Sequence, residues 1–452
     1  MAKTIDMTRG APLKLLFSFA IPLMFGNVFQ QLYTVVDTAI VGRGVGMDAL
    51  AALGTVDWLN WMFLGIVQGY TQGFSVRFSQ KYGEKDYFEL KRMLAQSSRL
   101  CIYLALIGVA VGQLGVPLFF MLLRVPPQLT VMAELYIRII FAGLPAMVFF
   151  NYCSSVLRAV GDSKTPLFAM MTAALTNIFL DALTVFVFGW GIAGAAAATV
   201  FSQCVSGTIC YVRMRKIPEL RFEKQHWKVS ASHQRNLIRI GTPIAAKNVG
   251  VALGGMVLQT VVNGFGVSFI AGYTASNKLY GLLEIAAVSY GYAVTTFVGQ
   301  NYGAARPDRV RSGVRSACVL SMITSVIIAS VMLVFGRSAV MLFITSDNAA
   351  VAMQAGDTAY VYLCVMAVCL PVLYLLYVFL SALQGMGNAM VPMVSGFLEL
   401  AIRVAIAGFV VLSGYSYGIF GAEVGAWIGS AVFLMISYFR SIKKINAAKT
   451  AE

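Results

Sequence analysis

The sequence contains few charged residues. Asp, Glu, Lys and Arg make up 12% of its 452 residues, whereas 59% are hydrophobic. Soluble domains carry roughly 25% charged residues, so this deficit excludes an ordinary water-soluble protein. Histidine is also scarce, since His226 and His233 are the two in the chain. Both lie in one central polar loop, and the seven cysteines lie in apolar stretches without metal-type spacing. We therefore expect reduced packing cysteines and no metal centre built from histidine and cysteine.

Motifs that would indicate an enzyme are missing as well. The sequence has no phosphate-binding Gly-Lys-Thr motif, no zinc motif and no nucleophile elbow. It also has no soluble segment large enough for ATP hydrolysis. We therefore predict a protein that is not an enzyme and needs no cofactor beyond a coupling ion. A membrane-embedded enzyme and an ion channel remain alternatives on composition alone.

Apolar residues cluster in blocks of about 20 or more, the length that crosses a hydrocarbon core as a helix. The first block is too long for a cleaved signal peptide and predicts a retained helix. The twelve blocks have approximate limits 15–41, 50–76, 93–117, 130–152, 166–188, 191–212, 238–262, 275–298, 314–336, 357–380, 391–413 and 417–438. The sequence therefore predicts an all-α polytopic membrane protein with twelve transmembrane helices.

The formal net charge of +15 could indicate a nucleic-acid partner. The positions of the charges instead indicate how the chain is oriented in a membrane. Of 34 basic residues, 27 fall in segments that share one side if the N-terminus is cytoplasmic. Three fall on the other side, namely Arg43, Arg124 and Arg337. This bias follows the positive-inside rule. We therefore predict a bacterial-type inner-membrane protein with both termini in the cytoplasm and no nucleic-acid partner.

The chain resembles itself at an offset of 220 to 227 residues. The matched pairs include Pro22 with Pro243, Gly69-Tyr70 with Gly291-Tyr292, Gln80 to Gly83 with Gln300 to Gly303, Leu157 to Asp162 with Leu383 to Asn388, and Gly191 to Gly194 with Gly418 to Gly421. Each half holds six predicted helices, so a pseudo-two-fold axis along the membrane normal would relate two six-helix bundles. We predict an N-lobe over residues 1–212, a cytoplasmic linker over 213–237 and a C-lobe over 238–452. Two facing bundles suit a transporter with alternating access.

Ionisable residues inside the apolar blocks locate the candidate site, because a charge in the bilayer needs a partner or water. A polar stripe with helical spacing follows the first helix, and it consists of Gln30, Tyr33, Thr34 and Asp37. Asn177 and Asp181 share a face of the fifth helix, and Thr199 lies at a similar depth on the sixth. Their oxygen atoms suit a hard cation, and two neighbouring carboxylates equally suit protons. The alternative is a structural hydrogen-bond cluster.

Other polar residues carry weaker predictions. The spacing of Glu134 with Arg138, and of Glu399 with Arg403, favours ion pairs within single helices. A second set is predicted either to face a substrate cleft or to be isolated helix residues, and it comprises Asp57, Lys247, Lys278 and Glu284. Pro22 interrupts the first helix and predicts a bend there, either static or functional.

Three stretches together resemble the multidrug and toxic compound extrusion (MATE) transporter family. They are Ile21-Pro22-Leu23-Met24 leading to Val35-Val36-Asp37-Thr38, Leu157 to Pro166 in the fourth loop, and Val298-Gly299-Gln300-Asn301-Tyr302-Gly303-Ala304. The resemblance implies an antiporter that expels small organic, amphipathic or often cationic compounds in exchange for H⁺ or Na⁺. Its partners would be these substrates and membrane lipids, and we expect a monomer. The alternative is a flippase of lipids or lipid-linked oligosaccharides from the same superfamily.

The resemblance also implies roles for individual residues. In the DinF-like branch, a cation site on helices one, five and six matches Asp37, Asn177, Asp181 and Thr199 here. Gln30 matches a residue associated with substrate contact, its neighbours Tyr33 and Thr34 are predicted to join it, and Pro22 matches the bending point. The NorM-like branch places acids on helices seven and ten. This chain departs from that pattern, because Lys247 lies on helix seven and helix ten has Asp357 only at its edge.

Overall fold

The computed structural model describes residues 4–123, 125–228, 230–341 and 349–451, so Arg124 lies outside the described residues. The described parts of the chain form α-helices, short helical turns and loops, without a strand. The helices are α1 (Pro12–Gly44), α2 (Met47–Glu84), α3 (Tyr87–Leu123), α4 (Pro127–Ala142), α5 (Leu144–Ala159), α6 (Lys164–Ala182), α7 (Gly191–Arg215), α8 (Ala231–Val262), α9 (Val267–Gly303), α10 (Pro307–Met341), α11 (Ala349–Gly385), α12 (Met390–Ser413) and α13 (Phe420–Ala451).

The described helices supply the twelve predicted membrane spans. Eleven are long and apolar enough to cross a bilayer on their own. The twelfth span is the pair α4 and α5, which bends by 46° at Gly143. Pro145 follows that glycine, and its ring cannot continue an unbroken helix through the preceding turn. The all-α polytopic fold class is therefore confirmed.

Most helices extend past the apolar blocks that predicted them. The second block ends at 76, but α2 continues to Glu84, and α11 continues from the predicted 380 to Gly385. Hydropathy marks only the part of a helix that contacts hydrocarbon. Backbone hydrogen bonding continues through the polar residues beyond that part, so the helices end later in the chain than the apolar blocks do.

The chain divides into two compact units. The first comprises the segment ending at Met7 together with Ile21–Ala245, and the second comprises Thr8–Ala20 together with the chain from Ala246 onward. The chain therefore passes between units inside α1 and inside α8, close to Pro22 and Pro243 respectively. The predicted lobe limits at 212 and 238 mark the linker in the sequence and stay a prediction.

The internal repeat is visible in the turns that precede α6 and α12. Gly161 and Gly387 occupy equivalent positions and have φ angles of +88° and +85°. The next residue caps the following helix in both cases, since Asp162 accepts a hydrogen bond from the Thr165 amide at 3.0 Å and Asn388 accepts one from Val391 at 3.3 Å. A left-handed φ favours glycine, which explains why both halves keep it.

Glycines also set the packing of α2 against the first half of α8 inside the first unit. A Cβ added to Gly69 would lie 2.4 Å from the Ala245 Cα, and one added to Gly73 would lie 2.6 Å from the Gly241 Cα. Small residues four apart on both helices permit this close backbone approach, as in small-xxx-small membrane contacts. Tyr70 then hydrogen-bonds Thr242 across the same contact at 3.0 Å.

Candidate functional site

Two carboxyl groups of the first unit lie side by side. Asp181 of α6 is fully buried, Asp37 of α1 is half-buried, and the two carboxyls lie within electrostatic range of each other. The helices approach closely because Gly26 of α1 faces Met170 and Leu167 of α6, where an added Cβ would meet the sulfur at 3.1 Å. When two carboxyl groups are close neighbours, a shared proton or a cation offsets the repulsion between their charges.

Asn177 and Thr199 join the same region from α6 and α7. The Asn177 Nδ2 donates to the Thr199 Oγ1 at 3.5 Å, and that hydroxyl donates to the Ala195 carbonyl at 3.1 Å. α7 packs closely against the helical turn Leu183–Val187 that follows α6, since a Cβ on Gly194 would lie 2.7 Å from Thr184. The Asn177 amide donates to Thr199 and the Thr199 hydroxyl donates to the backbone, while the Asn177 Oδ1 has no donor among the described residues.

Several buried acceptor oxygens in this region have no hydrogen-bond donor within the described part of the chain. They are Asp37 Oδ1, Asn177 Oδ1, both carboxyl oxygens of Asp181, and Gln203 Oε1. Buried polar atoms are nearly always paired, and leaving one unpaired costs about 1–3 kcal/mol. Acceptors that face one another are satisfied by a proton on a carboxyl, by a bound cation or by water.

A cavity of about 20 Å³ lies beside two of these residues, Asn177 and Gln203, whereas Asp37 and Asp181 are not among its lining residues. Its lining includes Gln30 and Tyr33 of α1, Asn177 of α6, and Thr199 and Gln203 of α7. A space of roughly this size accommodates one water molecule, so it also suits one small cation. Two of the three predicted substrate residues, Gln30 and Tyr33, therefore border this cavity.

The third predicted substrate residue lies elsewhere on α1. Thr34 is exposed, and its hydroxyl donates to the Gln30 carbonyl of its own helix at 3.0 Å. Pro22 is buried within α1, which continues as one helix through it. The structure thus places Asp37 near Asp181 and Asn177 near Thr199, while Asp37, Asp181, Thr34 and Pro22 do not line the cavity.

Two residues near the site were missed by the sequence reasoning. Gln203 follows Thr199 by four residues on α7 and so shares its face, a spacing that was available in the sequence. Tyr136 of α4 lies within electrostatic range of both Asp37 and Asp181, and of Asp57 on α2. Nothing in the local sequence around Tyr136 indicates that position, because it depends on how α4 packs.

The ion pairs predicted within single helices are confirmed. Arg138 contacts Glu134 at 2.7 Å, and Arg403 contacts Glu399 at 3.4 Å. Arg403 also forms a shorter pair with Glu423 of α13, at 2.8 Å. Glu423 was missed because it lies in the first turn of its helix, where an acidic residue is ordinary.

The second unit holds its own buried charged cluster around this arginine. Tyr377 donates a short hydrogen bond to Glu284, and Lys247 lies within electrostatic range of Glu284 and Glu399. The Lys247 side chain packs on Gly396, where a Cβ would lie 2.7 Å away. Lys278, by contrast, has neither an ion pair nor a hydrogen bond among the residues that the structure describes.

Comparison with known proteins identifies the family. The MatE family model matches residues 22–183 and 243–409, which correspond to the two halves of the repeat. The chain belongs to the MatE family. Members of this family are transporters that export small organic compounds across membranes.

Individual relatives agree with this assignment. The chain is 30% identical over 353 residues to the probable multidrug resistance protein YpnP of Bacillus subtilis, which covers 77% of this chain and 78% of that protein. It is 25% identical over 446 residues to the probable multidrug resistance protein NorM of Thermotoga maritima, covering 96% and 91%. A solved MATE transporter in an outward-facing conformation superposes with a TM-score of 0.90 over 99% of both chains, at 20% identity, which shows a common fold.

Proposed function

We propose that this MATE-family chain is a secondary antiporter that expels small organic, often cationic compounds in exchange for H⁺ or Na⁺. The observation that supports the coupling is the adjacency of Asp37 and Asp181 beside oxygens that have no donor. The names of the matched relatives refer to multidrug resistance, which favours small organic substrates over lipids.

The proposed coupling ion binds at Asp37 and Asp181, next to the cavity that Asn177, Thr199 and Gln203 border. Asp37 and Asp181 supply the charge, and Asn177, Thr199 and Gln203 supply neutral oxygens. No further cofactor is part of this scheme. Removing the ion leaves two neighbouring carboxylates in a region of low dielectric, where their repulsion is weakly screened. The free energy of packing α1 against α6 therefore depends on whether the ion is bound.

Binding of the ion is coupled to binding of the substrate through Gln30 and Tyr33. Both residues border the 20 Å³ cavity from α1. An ion that changes the position of α1 changes substrate affinity, and by linkage the substrate changes ion affinity by the same factor. Pro22 removes one backbone hydrogen bond from α1, so this helix bends there at a lower cost than elsewhere.

The test is transport of ethidium, a fluorescent organic cation, by the full-length chain in lipid vesicles. A pH gradient and a Na⁺ gradient are imposed separately, and the gradient that drives export identifies the ion. We expect Asp37→Asn and Asp181→Asn each to reduce gradient-driven export at least about 100-fold, the loss typical of a removed group essential to proton transfer. Ethidium binding without a gradient should persist.

The matched control is Asp357→Asn, the same chemical change at an exposed pair with Arg337. It should transport like the unmodified chain. Export by Asp37→Asn with unchanged dependence on both gradients would refute the coupling role. Export that survives collapse of both gradients by ionophores would refute secondary transport itself.

We further propose an orientation with both termini in the cytoplasm of a bacterial-type inner membrane, supported by the distribution of basic residues. In this orientation, residues 1–212 and 238–452 form the two lobes and 213–237 the cytoplasmic linker. We also propose that the protein acts as a monomer, because both carboxylates of the coupling site come from one chain.

A further inference from the structure

A second cavity lies in the second unit, where α10 begins and α13 approaches its end. It has a volume of about 330 Å³ and is lined by Arg311, Tyr438, Phe439, Ile442 and Lys443. On the proposed topology this end of the helices meets the cytoplasmic surface of the membrane. The transport mechanism described above uses none of these residues.

The inner wall of this cavity is aromatic. The Tyr438 ring lies 5.5 Å from Phe439 and 5.5 Å from Phe379 of α11. Phe439 is 59% exposed, so it offers an apolar surface at the edge of the cavity. The Tyr438 hydroxyl is buried and has no hydrogen-bond partner within the described ranges. A polar group thus remains unsatisfied among apolar rings.

Two cations border the opening. Arg311 and Lys443 are exposed, and neither is paired with an acidic side chain in the parts of the chain that the structure describes. Two nearby arginines are engaged differently: Arg306, just before α10, donates to the Thr8 carbonyl at 2.9 Å, and Arg309 of α10 donates to the Gly10 carbonyl at 3.0 Å. Arg311 also lies within electrostatic range of the Tyr438 hydroxyl.

We propose that this cavity binds one anionic phospholipid. Arg311 and Lys443 pair with the headgroup phosphate, Tyr438 contributes its unpaired hydroxyl, and an acyl chain lies along Phe439. Basic pockets between helices at the cytoplasmic surface suit such headgroups. The exposed aromatic ring favours a lipid over a free phosphate ion, since inorganic phosphate gains nothing from apolar contact.

The experiment measures lipid binding by the full-length chain in phosphatidylcholine nanodiscs with increasing phosphatidylglycerol, using native mass spectrometry to count bound lipids. The variant Arg311→Gln with Lys443→Gln removes both cations. We expect its affinity for phosphatidylglycerol to fall on the order of thirtyfold, from about fivefold per cation near the surface. Its melting temperature in pure phosphatidylcholine should stay unchanged.

The matched control is Arg440→Gln with Lys444→Gln, which removes the same charge from the same end of α13 outside the cavity lining. It should retain phosphatidylglycerol within about twofold. Equal losses in both double variants would overturn the proposal, because the attraction would then be a general surface effect. So would protection from heat by inorganic phosphate equal to that by phosphatidylglycerol. If the double variant does not fold, Lys443→Gln alone answers the same question with an expected fivefold loss.

Discussion

Two arginines of this chain form ion pairs of similar geometry in contrasting surroundings. Arg403 lies 2.8 Å from Glu423, and its side chain is 5% exposed. Arg337 also lies 2.8 Å from a carboxylate, that of Asp357, but its side chain is 64% exposed. Removing one partner of a buried pair leaves an uncompensated charge, whereas an exposed partner is screened by water.

We therefore predict that Arg403→Met destabilises the protein by about 3–5 kcal/mol, because Glu399 and Glu423 lose their shared cation. The control Arg337→Met should cost about 0–1 kcal/mol. The measurement is the melting temperature of both purified variants in one detergent. A drop of similar size in the two variants would show that burial does not determine the contribution of these pairs.

Single residues were predictable from the sequence where their chemistry conflicts with the membrane. Asp37 and Asp181 stand out because an acid in an apolar block is costly, and the structure brings them together. Gln203, a neutral residue, gave a weaker signal despite its helical spacing from Thr199. Tyr136 gave none, because its proximity to both acids comes from the packing of α4, which hydropathy does not specify.

At the scale of helices, close packing depends on where side chains are missing. Gly69 and Gly73 of α2 face Ala245 and Gly241 of α8, respectively. A Cβ added to either α2 glycine would meet backbone atoms of α8. Gly54, on the same α2, has no atom within 4 Å of its added Cβ. Gly54 therefore differs from Gly69 and Gly73 in what an added side chain would displace.

Gly73→Val should separate α2 from the first half of α8 and destabilise the protein by about 1–3 kcal/mol, the usual range for overpacking. Gly54→Val makes the identical change in open space and should leave stability unchanged or slightly higher, since valine is the better helix former. Thermal unfolding followed by circular dichroism compares the two. A stable Gly73→Val would mean that α8 does not approach α2 this closely.

Helices as units were the most predictable level of this structure. Apolar runs of sufficient length identified every span, because the bilayer allows few alternatives to a helix. The break between α4 and α5 was missed, although Gly143 and Pro145 are visible in the sequence. The corresponding Pro371 lies inside the unbroken α11, so the same residue type in the two halves gives different backbones, and packing decides which.

At the scale of the whole chain, the second half of the linker is anchored to α3 of the first unit. Gln96 of α3 donates to the Lys228 carbonyl at 2.8 Å, and Arg99 stacks over Trp227 at 5.1 Å. After the linker, the first half of α8 packs on α2 before the chain enters the second unit. The repeat in the sequence predicted two halves, but it did not predict that α8 begins in the first unit.

This arrangement predicts the behaviour of a cut chain. A protease site inserted within residues 221–225 and cleaved in detergent should yield two fragments that co-elute in size-exclusion chromatography. The reason is that residues 231–245 of the C-terminal fragment stay packed on α2 of the N-terminal fragment, while residues 8–20 of the N-terminal fragment stay in the second unit. The same cut in Gly73→Val, which weakens that contact, should release a measurable fraction, while the cut in Gly54→Val should not. Fragments of the unmodified sequence that separate at once would show that the linker, and not this helix contact, holds the start of α8 in the first unit.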